Sequence, residues 1–107
     1  MSYILGFCRI VACSSLLLAV PAQAASLEDT YTSWESLRSP DAGPIRFEDG
    51  DGFLRAHPNW PEEKTIRLRT EAAAMNDRPA RDMMAKFCTD YPPISGRGKI
   101  ACVVAGV

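Results

Sequence analysis

The apolar positions of this sequence recur every three or four residues in several stretches, and prolines or glycines separate the stretches. Such spacing predicts amphipathic α-helices. The first helix is expected to begin at a Ser26 cap, with Glu28 and Asp29 placed over the amides of its first turn. Its apolar stripe extends over about three turns and consists of Leu27, Tyr31, Trp34 and Leu37 or Arg38. Two prolines and a glycine in residues 39–44 then predict a loop.

A second helix is predicted around Phe53 and Leu54, and Pro58 stops it. Its front half, Glu48–Gly52, contains two glycines and two aspartates and is a poor helix former. We therefore predict a loop or a frayed helix there. Alternating aspartate and glycine also occur in calcium loops, but the further oxygen ligands and the distal glutamate of such a loop are missing. The sequence predicts no metal site and no cofactor.

Trp60 lies between Pro58 and Pro61, directly ahead of a third helix that is predicted to run from about Pro61 to Met75. Asn59 is suited to cap this helix, and proline is suited to its first turn. A bulky apolar residue at this position predicts a hydrophobic staple, in which Trp60 packs back across the turn onto the preceding helix. The alternative is that Trp60 is a platform on which a sugar ring stacks. Both interpretations stay open.

The third helix is expected to bury one face and to expose another. Its inner face is predicted to contain Ile66, Arg69 or Thr70, and Ala73, with Leu68 and Ala72 as further candidates. Lys64, Arg67 and Glu71 are predicted to point outward or to pair at short helical offsets.

Two more helices are predicted after this one. Pro79 starts the fourth, which Pro92 and Pro93 close. Its inward positions are Met83, Met84, Phe87, Cys88 and Tyr91. Ser95–Gly98 predicts a turn between helices, because the upstream strand and glycine of a phosphate-binding loop are missing. Lys99–Val107 begins a last apolar helix with no cap, so we expect the sequence to be a piece of a longer or frameshifted gene product.

Residues 1–24 predict a secretory signal peptide. Ile10–Val20 is an uncharged apolar run of eleven residues, and Ala22–Ala24 is an A-x-A cleavage pattern. A membrane-spanning helix needs about 20 apolar residues, so no stable span is expected after cleavage. Cys13 lies too early in the apolar run for a lipoprotein anchor. The mature chain is predicted to be residues 25–107, located in the periplasm.

Charge and cysteine content narrow the chemistry of the mature chain. Eleven of the 12 basic side chains and all 13 acidic ones follow Ala24, which gives a formal charge of −2 with both signs interspersed. Nucleic acid is therefore not expected as a partner. Cys88 and Cys102 are the cysteines that remain, and they either form a disulfide or are two buried thiols. His57 is the single histidine, and its position at a helix end explains it without a metal.

The sequence contains a weak internal repeat with a period of 34 residues. Phe53 and Pro58 recur as Phe87 and Pro92, and Ile66 recurs as Ile100. This is the period of helix-turn-helix repeats that stack on their neighbours. The predicted fold is therefore all-α, with antiparallel helix-turn-helix repeats that form the start of an α-superhelix.

Four segments together resemble the N-terminal superhelical region of the proteobacterial soluble lytic murein transglycosylases. They are Trp34–Leu37, Phe53–Pro61 (Phe-Leu-Arg-Ala-His-Pro-Asn-Trp-Pro), Arg67–Ala73 and Pro92–Lys99. The resemblance covers about residues 27–101. It implies a periplasmic helical scaffold next to peptidoglycan, with a separate lysozyme-like domain that cleaves the glycan between N-acetylmuramic acid and N-acetylglucosamine and forms a 1,6-anhydro product.

The catalytic pattern of that family, Glu-Ser followed by Gly-Leu-Met-Gln, is missing from this sequence. Glu35–Ser36 is a Glu-Ser pair on the first helix without the rest of the pattern, so no catalytic role is carried to it. Glycan cleavage also needs a general acid in an apolar cleft. We therefore expect a non-catalytic segment whose partners are glycan strands through the parent enzyme and, in addition, other periplasmic proteins. The alternative is a freestanding periplasmic adaptor that binds protein partners.

Overall fold

A computed structural model describes residues 27–107, and this part of the chain is all-α, as the sequence predicts. Helical residues 27–38 form α1, and a short 3-10 helix, Pro40–Ala42, follows it. The later helices are α2 (Phe47–Ala56), α3 (Glu63–Asp77), α4 (Arg81–Asp90) and α5 (Gly96–Val104). The predicted signal peptide, the Cys13 alternative and the Ser26 cap lie outside the described residues.

Residues Trp34–Val107 form one compact unit, in which α3 is the central helix. α2 packs along one side of α3 and α5 packs along another. Phe47 of α2 meets Phe87 of α4 edge to face, with ring centroids 5.1 Å apart, and both rings are buried. Within α1, the Thr32 hydroxyl donates to the Glu28 carbonyl at 3.0 Å.

α2 begins at Phe47 and includes Glu48–Gly52, so of the two alternatives for this segment, a loop or a frayed helix, the loop is wrong. The segment is helical throughout. The Asp77 carboxylate accepts from the Phe47 N–H at 2.8 Å, which fixes the first turn of α2. A Cβ on Gly50 would lie 2.0 Å from the Thr70 hydroxyl oxygen, so glycine allows the backbone of α2 to approach α3 closely.

The predicted helix starts at Pro61 and Pro79 are also displaced, to Glu63 and Arg81. Asn59 does not cap α3. Asn59 and Glu62 have left-handed backbones, with φ of 68° and 63°, and they form the turn ahead of the helix.

α5 begins at Gly96, so the predicted turn at Ser95–Gly98 is the cap and first turn of a helix. The Ser95 hydroxyl accepts from the Gly98 N–H at 3.0 Å. The helix ends at Val104, and Gly106 follows with φ of 78°, which corrects the expectation of a helix through Val107. Within residues 27–107, none of the helices has the length and apolar character needed to cross a membrane.

Candidate functional site

Trp60 lies in a sharp corner between α2 and α3. The His57 N–H donates to the Phe53 carbonyl at 2.9 Å and closes the last turn of α2. Pro58 cannot continue the helix, and the left-handed residues Asn59 and Glu62 reverse the chain. These constraints bring the indole of Trp60 back onto α2.

Four rings meet at this corner, and we call Trp34, Phe53, His57 and Trp60 the aromatic corner. The Trp60 centroid lies 5.6 Å from Phe53 and 5.4 Å from His57, both in edge-to-face contact. Its distance to Trp34 is 6.2 Å, with the two rings tilted by 58°. Such arrangements are the favoured ones for aromatic pairs. Trp60 is half-buried against the core and packs back onto α2. Because α3 begins at Glu63, Trp60 lies one position before the residue that forms a hydrophobic staple.

Trp34 connects the last turns of α1 to this corner. Its indole N–H donates to the Pro61 carbonyl at 2.7 Å. The Arg38 guanidinium lies over the Trp34 ring, 4.7 Å from its centroid, and also pairs with Glu35 at 2.8 Å. Glu35 is therefore a half-exposed carboxylate bound to an arginine, in contrast to the apolar setting that a glycosidic general acid needs.

Glu71 is fully buried, and the prediction that it points outward is wrong. Its carboxylate accepts from the Ile94 N–H at 3.0 Å and from the Ser95 N–H at 2.9 Å. It also accepts from the Ser95 hydroxyl. A Cβ on Gly98 would lie 2.2 Å from the Glu71 carboxylate. Glu71 thus joins α3 to the start of α5, where an anion is favoured by the helix dipole. In the sequence, Gly98 three positions after Ser95 is the feature that could have indicated a close approach of α5 to the Glu71 side chain.

A polar network joins the ends of α2 and α4. Arg55 pairs with Asp51 at 2.9 Å and with Asp90 at 2.6 Å, and its guanidinium lies 5.4 Å from the Tyr91 centroid. The hydrogen bond to Asp90 raises the pKa of Arg55. Burial raises the pKa of the Tyr91 hydroxyl. Arg67 covers Tyr91 as well, at 5.7 Å, and donates to a backbone carbonyl at 2.6 Å. These contacts hold two equivalent helix ends together.

Cys88 on α4 and Cys102 on α5 are bonded as a disulfide. Their Cα atoms lie 6.2 Å apart, within the range that a disulfide spans. Of the two alternatives that the sequence left open, the structure contains the disulfide.

His57 contacts Phe53 and Trp60 through its ring, at centroid distances of 4.9 and 5.4 Å. Within residues 27–107, no group of three or more histidine, cysteine, aspartate or glutamate side chains is placed to hold a metal ion.

An apolar groove of about 420 Å³ lies where α3, α4 and α5 meet. Its apolar lining includes Met75, Met84, Ile100 and Val104, and Arg78 and Arg81 also line it. Four apolar residues at the C-terminal end of the chain are exposed: Ile100, Val103, Val104 and Val107.

Comparison of the chain with models of known protein families, with characterised proteins and with solved structures finds no match.

Proposed function

We propose that residues 25–107 are the N-terminal part of the helical-repeat region of a periplasmic peptidoglycan lytic transglycosylase. In this role the segment is a non-catalytic scaffold beside the glycan strands, and the parent enzyme's separate catalytic domain cleaves them. The proposal combines the sequence resemblance with one structural observation on the two helix pairs.

That observation is the equivalence of α2 and α4. Both helices have ten residues, and they begin 34 positions apart, at Phe47 and Arg81. The residues after them, His57 and Tyr91, have nearly the same backbone, with φ of −133° and −129° and ψ of 68° and 83°. A second helix follows each of them, α3 and α5. This order supports a repeat of helix pairs, as in superhelical scaffolds.

The disulfide between Cys88 and Cys102 supports the proposed compartment. Disulfides persist in secreted and periplasmic proteins and are rare in the cytosol. Together with the predicted signal peptide at residues 1–24, the disulfide favours folding after export.

The aromatic corner has a structural role in this proposal. Trp60 and Trp34 fix the angle at which the chain leaves α2 and enters α3, through ring contacts and the bond to the Pro61 carbonyl. A repeat scaffold needs such fixed corners, because its curvature is the sum of small rotations between neighbouring units.

The apolar groove favours a second candidate, a periplasmic adaptor that binds a protein partner. Met84, Ile100 and Val104 give the groove a flexible apolar lining that suits an inserted side chain from another protein. In the scaffold proposal the same surface receives the next helix of the superhelix.

Co-sedimentation with purified peptidoglycan sacculi tests the first candidate against the second. Protein made by expressing the full sequence is recovered from the periplasmic fraction, and its mass shows whether it begins at Ala25. The scaffold proposal expects retention on sacculi that soluble glycan fragments compete away. Cytoplasmic protein with an uncleaved N-terminus, or no retention on sacculi, would contradict it. Retention of periplasmic proteins without sacculus binding would favour the adaptor.

A further inference from the structure

The apolar stripe of α1 is buried over only part of its length. Leu37 belongs to the core, and Trp34 is half-buried against it. Leu27 and Tyr31 precede them on the same stripe at helical spacing, and they are 66% and 57% exposed. The first turns of α1 therefore present apolar side chains to solvent.

Negative charge accompanies these side chains. Glu28 borders the stripe one position after Leu27, and Asp29 adds a second carboxylate to the same turn. Both are exposed, and residues 27–33 include no lysine or arginine. We call Leu27, Glu28, Asp29 and Tyr31 the acidic ridge of α1.

The apolar groove between α3, α4 and α5 has the opposite charge. Arg78 and Arg81 line it together with apolar side chains, and none of the described residues that line it is acidic. The Arg81 guanidinium lies against the backbone after α5, where a Cβ on Gly106 would be 3.4 Å from its Nη2. A positive charge is thus held beside the apolar lining.

The dimensions of the groove suit an amphipathic helix. Its volume of about 420 Å³ lies within the range of binding pockets, about 300–1,000 Å³. Helices that bind in apolar grooves anchor themselves through apolar residues three or four positions apart, which lie about 5–6 Å from each other on the helix surface. Leu27 and Tyr31 have this spacing.

We propose that the acidic ridge of one copy of the chain docks into the apolar groove of a second copy. Leu27 and Tyr31 enter the groove, which removes exposed apolar surface from water on both copies. Glu28 then faces the arginines of the groove, so that opposite charges meet.

The same charges disfavour the symmetric alternatives. Two grooves that face each other would bring arginines together, and two ridges would bring carboxylates together, and both arrangements are repulsive. Because the ridge and the groove are different surfaces, the contact between copies is head to tail.

This inference goes beyond the proposed function, because it concerns contacts between copies of the chain and not contacts with glycan. The second copy covers the surface that the next helix of a superhelix would cover. Self-association and retention on sacculi are measured separately, so either can fail while the other stands.

Sedimentation equilibrium of the protein recovered from the periplasm tests the contact. We expect the average mass to rise with protein concentration, with a dissociation constant on the order of 100 µM, as suits a small interface. Added salt should weaken the association, because it screens the charges of the ridge and the groove.

Two charge reversals at exposed positions separate the two surfaces. Glu28→Arg changes the ridge, and Arg81→Glu changes the groove. Each alone should weaken the association by at least about tenfold, because like charges then meet. The double variant should recover the affinity of the parent to within about threefold, since the charges are exchanged. An equal mixture of the two single variants should also associate, because the unchanged ridge of one matches the unchanged groove of the other.

Lys86→Glu, an exposed charge reversal on α4 outside the lining of the groove, is the matched control and should associate like the parent. Circular dichroism checks the helix content of each variant, and Leu27→Ser or Val104→Ser, both at exposed residues, replaces a charge variant that unfolds. A protein that stays monomeric at every concentration, or association that salt strengthens, would overturn the proposal. Equal losses in Lys86→Glu and Arg81→Glu, or a mixture no tighter than its components, would do the same.

Discussion

In the helix pair α2–α3, Gly50 lies directly against Thr70, and a single added Cβ would collide with the threonine hydroxyl. At the positions 34 residues later, the pair α4–α5 carries Met84 and Val104, and the apolar groove lies between them. Thr70 is fully buried, whereas Val104 is 75% exposed. In the first pair the backbone of α2 at Gly50 packs against the Thr70 side chain, and the second pair stays open at the corresponding positions.

The second pair is held by other means. The disulfide joins Cys88 of α4 to Cys102 of α5. The buried carboxylate of Glu71 then fixes the start of α5 to α3 and so joins the second pair to the first. The same difference appears at Ile66, which is fully buried, and at Ile100, which is 52% exposed. The same order of helices is thus stabilised by close packing in one pair and, where a larger side chain replaces the glycine, by a covalent bond in the other.

Removing the ring that anchors the first pair should have the largest effect. Trp60→Ala deletes contacts with Phe53, His57 and Trp34. We expect the free energy of unfolding to fall by about 3–4 kcal/mol, measured by urea denaturation with circular dichroism. Leu27→Ala, at an exposed apolar residue, is the control and should change it by less than about 0.5 kcal/mol. Unchanged stability together with lost sacculus binding would show that Trp60 is a sugar platform instead.

The counterpart in the second pair is the disulfide. Replacing Cys88 and Cys102 by serine removes a covalent link between two residues that are 14 positions apart in sequence, so the loop that it closes is short. The expected loss is about 3 kcal/mol for a loop of this size. Hydrogen exchange should accelerate in α5 more than in α2. An equal increase in both helices would show that the disulfide stabilises the whole unit and not chiefly the packing of α5.

The glycine that closes the first pair can be tested against a neighbour. Gly50→Ala should lower the free energy of unfolding by about 2–3 kcal/mol, because the new methyl group has no space beside Thr70. Gly52→Ala is the matched control on the same helix, since a Cβ there meets nothing within 4 Å. Alanine favours helix over glycine by up to about 1 kcal/mol, so Gly52→Ala should stabilise. Equal effects of the two substitutions would refute close approach at Gly50.

A somewhat smaller effect is expected from the buried carboxylate. Glu71→Gln places a donor amide opposite N–H groups that need an acceptor, and should cost about 2 kcal/mol. Glu48→Gln removes a surface ion pair with Arg46 and should cost less than about 1 kcal/mol. Comparable losses in the two variants would mean that Glu71 contributes no more than a surface charge.

The smallest expected effect concerns catalysis. We expect the protein to release no anhydro-muropeptides from sacculi, and Glu35→Gln to leave that result unchanged, because Glu35 is bound to Arg38 at the surface. Mass spectrometry of the soluble fraction, compared with a heat-inactivated sample, measures this. Release that depends on Glu35 would overturn the non-catalytic assignment.

The all-α fold class and the turns between helices could be predicted, because prolines interrupt the helical spacing of the apolar residues at the ends of the helices. Pro58 and Pro92 follow helix ends that the structure places at Ala56 and Asp90. The ordered helix over Phe47–Gly52 could not be predicted, since its two glycines disfavour a helix. The reason for a glycine at position 50 is its contact with Thr70 on α3, which lies 20 positions away in sequence.

Glu71 could not be assigned from the pattern for a similar reason. A glutamate beside arginines on a helix is normally solvated, and its burial depends on N–H donors at Ile94 and Ser95, more than 20 positions away. The contact of Trp60 with α2 could be expected from the sequence, because Pro58 and Pro61 mark a turn between two helices around it.

The short span between the two cysteines also bears on the order of events during folding. Cys88 and Cys102 are 14 positions apart, whereas the contact of Ser95 at the start of α5 with Glu71 of α3 spans 24 positions. Contacts that are close in sequence form before distant ones. Oxidation can therefore join α4 and α5 while α3 is still undocked, and refolding from the oxidised state should be faster than refolding in the presence of a reductant.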